Sequence, residues 1–121
     1  MFKRNFLSLI FISILALSHI EQSSAHAVVT KHSLEIEPVH SGRPTSVTLD
    51  FNSKIEVGLS KIFLVKAGDI HEPVKFSKGG KPGQVVINLP ALDPGEYALR
   101  FKIFAADGHL TEDIIRFIVI P

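Results

Sequence analysis

The chain has 121 residues, with 13 basic and 12 acidic side chains, so its formal net charge is +1 with the histidines neutral. It holds no cysteine, no tryptophan and a single methionine, Met1, against nine phenylalanines. A disulfide framework and a cysteine-linked lipid anchor are therefore excluded, and the absence of a basic stripe with interleaved aromatics leaves nucleic-acid binding without support.

The N-terminus carries a three-part export pattern. Lys3 and Arg4 form a short basic head, and Phe6 to Leu17 is apolar apart from Ser8 and Ser13. That run is shorter than the roughly 20 apolar residues a membrane-spanning helix needs, and it has the length of a signal peptide's apolar region. Ser23-Ser24-Ala25 then places small residues at −3 and −1. The pattern predicts a cleavable secretory signal over 1–25, cut between Ala25 and His26, and one domain over 26–121; an uncleaved anchor is the alternative. Removing Lys3, Arg4 and Glu21 leaves the remainder formally neutral.

Beyond residue 26, short runs rich in Val, Ile, Phe and Thr are divided by turn chemistry. The strands expected are Ala27–Thr30, Ser46–Phe51, Leu59–Lys66, Pro73–Phe76, Val85–Leu89, Tyr97–Phe104 and Ile114–Ile120. Ser46–Phe51 and Tyr97–Phe104 alternate with period two, as half-buried strands do. Turns are expected at Ser41-Gly42-Arg43-Pro44, Gly68-Asp69, Lys78–Gly83 and Asp93-Pro94-Gly95, where Gly, Pro and Asp supply the turn geometries. Leu92–Tyr97 has the form of a tyrosine corner, in which a phenol bonds back to the chain. No stretch of ten residues shows a helical period. The reading is all-β: a seven-stranded antiparallel Greek-key sandwich of immunoglobulin-like or cupredoxin-like form, with a small closed barrel as the alternative.

Two features bear on chemistry. Cleavage after Ala25 makes His26 the terminal residue, which offers its α-amine and its ring Nδ1 as a chelating pair; the amine, with an ordinary pKa of about 8, yields its proton to a metal at neutral pH. Asp107-Gly108-His109 brings a carboxylate and an imidazole within three residues. Three nitrogens and one oxygen suit Cu(II), whereas Cu(I) favours thiolate or thioether donors, and 26–121 contains neither. Asp-Gly is also a strong hairpin-turn signal, so the plain alternative is a turn with His109 as a surface residue. A second Asp-x-His, Asp69-Ile70-His71, is expected in a loop and remains open as a partner of His26. His32 is too far along the same strand to share a metal with His26, about 20 Å at the rise of a strand. His40 is expected in solvent beside a turn.

These residues together resemble the periplasmic copper-resistance family of the CopC/PcoC (YobA-like) type. The matching pieces are the signal ending at Ala25, His26-Ala27, Val47-Thr48-Leu49-Asp50-Phe51-Asn52, Leu92-Asp93-Pro94-Gly95-Glu96-Tyr97, Ala105-Ala106-Asp107-Gly108-His109 and the closing Phe117-Ile118-Val119. They span essentially the whole of 26–121 in order. The chain departs from the pattern at Phe101, where the family often has tryptophan, and at Leu110, where it often has proline; it also lacks the methionine-rich segment of some members. The resemblance implies a seven-stranded sandwich with a Cu(II) site made by His26, Asp107 and His109. It further implies a non-enzymatic protein of the periplasm (or the cell exterior where there is no outer membrane), without membrane insertion of 26–121. Such a protein sequesters copper or passes it to an inner-membrane transporter of the CopD type. Two other classes stand beside this reading: a metal-free immunoglobulin-like accessory module, and a histidine-brace copper monooxygenase, which would need an open copper position and a broad polymer-binding surface.

Overall fold

The computed structural model describes residues 27–121. Among them are nine strands: β1 (Val29–His32), β2 (Val39–His40), β3 (Thr45–Phe51), β4 (Lys61–Lys66), β5 (Ile70–Pro73), β6 (Lys75–Lys78), β7 (Gln84–Leu89), β8 (Gly95–Phe104) and β9 (Leu110–Ile120), with one short 3-10 turn at Ser33–Glu35. They form two sheets, β1-β3-β7-β6 and β2-β9-β8-β4-β5.

Period-two patterning explains how the sheets face each other. In β3, Val47, Leu49 and Phe51 are buried, and in β7, Val85, Ile87 and Leu89; from the opposite sheet Ile62 and Leu64 of β4 and Leu99, Phe101 and Ile103 of β8 are buried against them. Phe51 and Phe101 lock the two layers edge to face, with ring centroids 5.8 Å apart and planes at 83°, a favoured aromatic geometry. Tyr97 stacks on Phe117, its partner across β8 and β9. Its hydroxyl donates to the Asp93 carbonyl at 2.8 Å, closing the tyrosine corner expected from Leu92–Tyr97.

The all-β sandwich agrees with the sequence reading, and the strand count and bounds differ for identifiable reasons. Pro73–Phe76 is divided between the sheets: β5 pairs with β4, β6 pairs with β7, and the chain crosses over at Val74, whose N–H donates to the Ile62 carbonyl at 3.0 Å. Pro73 stands at the end of an edge strand, where a missing N–H costs no ladder bond. β2, too short to show a period, pairs in parallel with β9, so the sandwich is not wholly antiparallel. β9 begins at Leu110 rather than Ile114, because β8 continues the ladder to the pair Phe104–Leu110. The first strand starts at Val29 and reaches His32, with a register shift between Val29 and Lys31.

Candidate metal centre

Asp107 and His109 lie on the hairpin that joins β8 to β9. Gly108 N–H donates to the Ala105 carbonyl at 2.9 Å, and Ala105 N–H donates to the His109 carbonyl at 2.9 Å. A type I turn followed by a left-handed residue is a standard three-residue hairpin loop, and Gly108, with φ +88, fills the left-handed position. The turn chemistry and the donor pair are therefore the same residues.

The loop draws its two side chains together. The Asp107 Oδ1 accepts from the His109 backbone N–H at 3.1 Å, and Asp107 Oδ2 lies 2.9 Å from His109 Nδ1. The backbone N–H of His109 first, and then its ring, hold the Asp107 carboxyl below its ordinary value. An ionised carboxylate can only accept, so Nδ1 carries the hydrogen in this contact. Both side chains are about half exposed, at 40% for Asp107 and 56% for His109, so a solvated metal ion can reach them.

The neighbouring backbone fixes where the loop sits. Ala106 N–H donates to the Lys54 carbonyl at 3.0 Å, Glu56 N–H donates to the Phe104 carbonyl at 2.8 Å, and Ile55 bridges Ala105. Ser60, buried, donates its hydroxyl to the Glu56 carbonyl at 2.8 Å and accepts from Phe104 N–H at 3.0 Å. The first described residues reach the same end of the sandwich. Ala27 is fully buried, Val28 N–H donates to Asn52 Oδ1 at 2.9 Å, and Asn52 N–H returns a bond to the Val28 carbonyl at 3.1 Å. Asn52 is two residues from Lys54, so segment 52–54 is bound by Val28 on one side and by Ala106 on the other.

His26, the first of the three expected ligands, lies outside the described residues, as does the expected signal over 1–25. Among the described residues no group of three or more His, Cys, Asp or Glu is placed to hold a metal; Asp107 and His109 are a pair.

The other histidines are elsewhere. Asp69 is in the turn before β5, and Ile70 and His71 belong to β5 itself rather than to a loop. His71 is opposite Val65, which is opposite Ala98. Ala98 is six residues from Phe104 along β8, about 20 Å at the strand rise, so this second Asp-x-His is at the far end of the sheet from Asp107. There His71 Nε2 lies 2.6 Å from Asp69 Oδ1, and Arg100 Nε donates to His71 Nδ1 at 3.1 Å. His32 Nε2 contacts Glu35 Oε1 at 3.2 Å. His40, expected in solvent, is half-buried in β2; its pairing with Ile120 draws it onto the sheet. Sequence reasoning missed Ser60, and nothing in its spacing marks it. Asn52 was legible as the residue closing a matched strand, though not as a clamp on Val28.

Residues 29–120 match the CopC domain family. The chain belongs to that family. Among solved structures, CopC from Methylosinus trichosporium OB3b is 26% identical, with a TM-score of 0.67 over 79% of this chain and 95% of that one. PcoC, a methionine rich copper resistance protein from Escherichia coli, is 21% identical, with a TM-score of 0.61 over 78% of this chain and 99% of that one; at that identity the likeness concerns the fold. No curated protein matches the sequence significantly. Among the described residues no helix is long and apolar enough to cross a membrane.

Proposed function

We propose that this CopC-family chain is an exported Cu(II)-binding protein, processed after Ala25, that sequesters copper or hands it to a membrane copper transporter of the CopD type. Family membership and the likeness to CopC of Methylosinus trichosporium support a copper-related role. The observation that carries the site is the gathering at one end of the sandwich: the Asp107–His109 turn and the anchored Ala27–Val28 are both bonded to segment 52–54.

In this reading His26 supplies its amine and ring nitrogen, and His109 supplies a further nitrogen. With Nδ1 of His109 turned toward Asp107, Nε2 is the ring atom assigned to the metal. Asp107 then orients the imidazole and raises its basicity, as carboxylates behind metal-bound histidines do. Amine and imidazole nitrogens suit Cu(II), whereas Cu(I) favours thiolate or thioether donors, and the absence of cysteine, with Met1 as the only methionine, separates this chain from a methionine rich relative such as PcoC. The role needs no catalytic residue, and the proposed location is the periplasm, or the cell surface in an organism without an outer membrane.

The test is a Cu(II) titration of the protein recovered after export, read by electron paramagnetic resonance, with its N-terminus sequenced first. The expected result is His26 at the N-terminus and one tight copper per chain with a tetragonal spectrum. Its nitrogen couplings change in His26→Ala and in His109→Ala, and affinity falls by orders of magnitude. Weak, substoichiometric binding indifferent to both substitutions would leave a metal-free accessory module as the better reading.

A further inference from the structure

A cleft of about 450 Å³ lies directly beside the Asp107–His109 turn, with Ala106 as part of its wall. Its volume is within the roughly 300–1,000 Å³ of small-ligand sites. Three lysines from different segments surround it: Lys54, Lys78 at the end of β6, and Lys81 in the loop before β7; Glu56 is the one carboxylate in the lining. Among the described residues, none of these three ammonium groups is in an ion pair, whereas Lys66 and Lys102 are paired with Glu72 and Glu112. Lysines on a sheet edge are ordinarily a guard against edge-to-edge pairing, but Lys54 and Lys81 lie outside the strands and face one concavity with Lys78.

The cleft's floor is bonded to the neighbouring strands. Gln84 ties the β6–β7 loop to β3: Gly80 N–H donates to its Oε1 at 3.0 Å, and its Nε2 donates to Asp50 Oδ1 at 2.9 Å. Gly83, with φ +78, is pressed so closely on segment 51–53 that a Cβ there would fall 2.6 Å from the Ser53 carbonyl oxygen. The lysines are thus displayed on a fixed frame, and binding between them does not have to order the loop first.

We propose that this cleft docks an acidic peptide segment of the protein that exchanges copper with this chain. Charge complementarity selects the occupant: three cations against one carboxylate call for an anionic partner. No aromatic side chain is in the lining, so the base stacking by which single-stranded nucleic acids are held is absent. The shared wall at Ala106 gives the docking a purpose, because a carboxylate-rich segment seated there ends next to Asp107 and His109. Bringing the donor groups of two proteins into proximity turns metal exchange into an effectively intramolecular step. The purpose rests on the copper-carrier reading; the docking itself is measured on copper-free protein, so the two fail separately.

The experiment is fluorescence anisotropy of a labelled hexaglutamate peptide titrated with the copper-free protein recovered after export. Binding is expected to weaken roughly tenfold in the triple variant Lys54→Ser, Lys78→Ser, Lys81→Ser, the scale of several exposed charge pairs. It should weaken similarly as salt rises from about 20 mM to about 200 mM, where screening shortens the reach of exposed charges. His109→Ala should leave it unchanged. A control triple with the same net charge, Lys31→Ser, Lys61→Ser, Lys75→Ser, is expected to bind like the unaltered protein. Equal loss in the control would mean unspecific attraction and overturn the proposal. So would tighter binding of a six-nucleotide oligothymidylate than of hexaglutamate, or saturation of the cleft by citrate at the same concentration as the peptide. Circular dichroism of each variant separates lost binding from lost fold.

Discussion

At the scale of single residues, the candidate site depends on hydrogen bonds as much as on donors. Asp107 is fixed by the backbone and ring of His109, and its carboxyl is held below the ordinary aspartate value of 3.8. The folded value is the depressed one, so this contact contributes its stability above the unfolded value and loses it as pH falls through the folded value. In the copper-free protein the Asp107 carboxyl should therefore titrate with a midpoint below 3.8 by carbon-detected NMR, and the His109 amide shift should move with it. A midpoint at or above the ordinary value would mean that the turn does not hold Asp107 as described. Ser60 is the second residue on which the site rests. Its hydroxyl satisfies the half-buried Phe104 N–H, and Ser60→Ala leaves that donor without its partner, a loss of about 1 kcal/mol. Urea unfolding should register it, and an unchanged midpoint would show that the bond is dispensable.

At the scale of elements, two hairpins define this end of the molecule. The β8–β9 loop was readable because Asp-Gly is a turn signal with a mechanism, and the structure places Gly108 in the left-handed conformation that such a loop requires. The β6–β7 loop was also expected as a turn from Lys78–Gly83, but its packing was not. Gly83 combines φ +78 with close approach to the carbonyls of Phe51 and Ser53. Gly83→Ala adds about 1–2 kcal/mol for the left-handed backbone before any clash is counted. A lowered thermal midpoint in this variant, with Gly80→Ala nearly neutral because open space surrounds Gly80, is the expected contrast. The division of Pro73–Phe76 between two sheets has the opposite character. Nothing in four residues of mixed pattern reveals a crossover, which is decided by Val74 bonding to Ile62.

At the scale of the whole molecule, topology sorts the histidines. The two Asp-x-His pairs are equivalent in spacing, and each forms its internal contact, Asp107 with His109 and Asp69 with His71. The register of β4, β5 and β8 puts them at opposite ends of one sheet. His71→Ala should therefore leave the Cu(II) titration unchanged while His109→Ala alters it. Equal effects from both substitutions would contradict the proposed site. The same topology sets the cleft with Lys54, Lys78 and Lys81 against the Asp107 turn, although those lysines come from separate parts of the sequence.

A family resemblance named Asp107 and His109 as candidate ligands, and local chemistry was legible from the sequence alone: the alternating strands Ser46–Phe51 and Tyr97–Phe104, the tyrosine corner at Tyr97 and the hairpin turn at Gly108. Each of these local features follows from residue type and short-range spacing, where backbone sterics and side-chain periodicity act. Tertiary structure alone decided which Asp-x-His shares an end of the sandwich with Ala27, that Asn52 clamps Val28, and that Ser60 supports Phe104 across 44 residues. It also decided that three dispersed lysines share a cleft. Such facts depend on sheet order and register, which arise from long-range pairing between segments whose individual patterns are nearly alike.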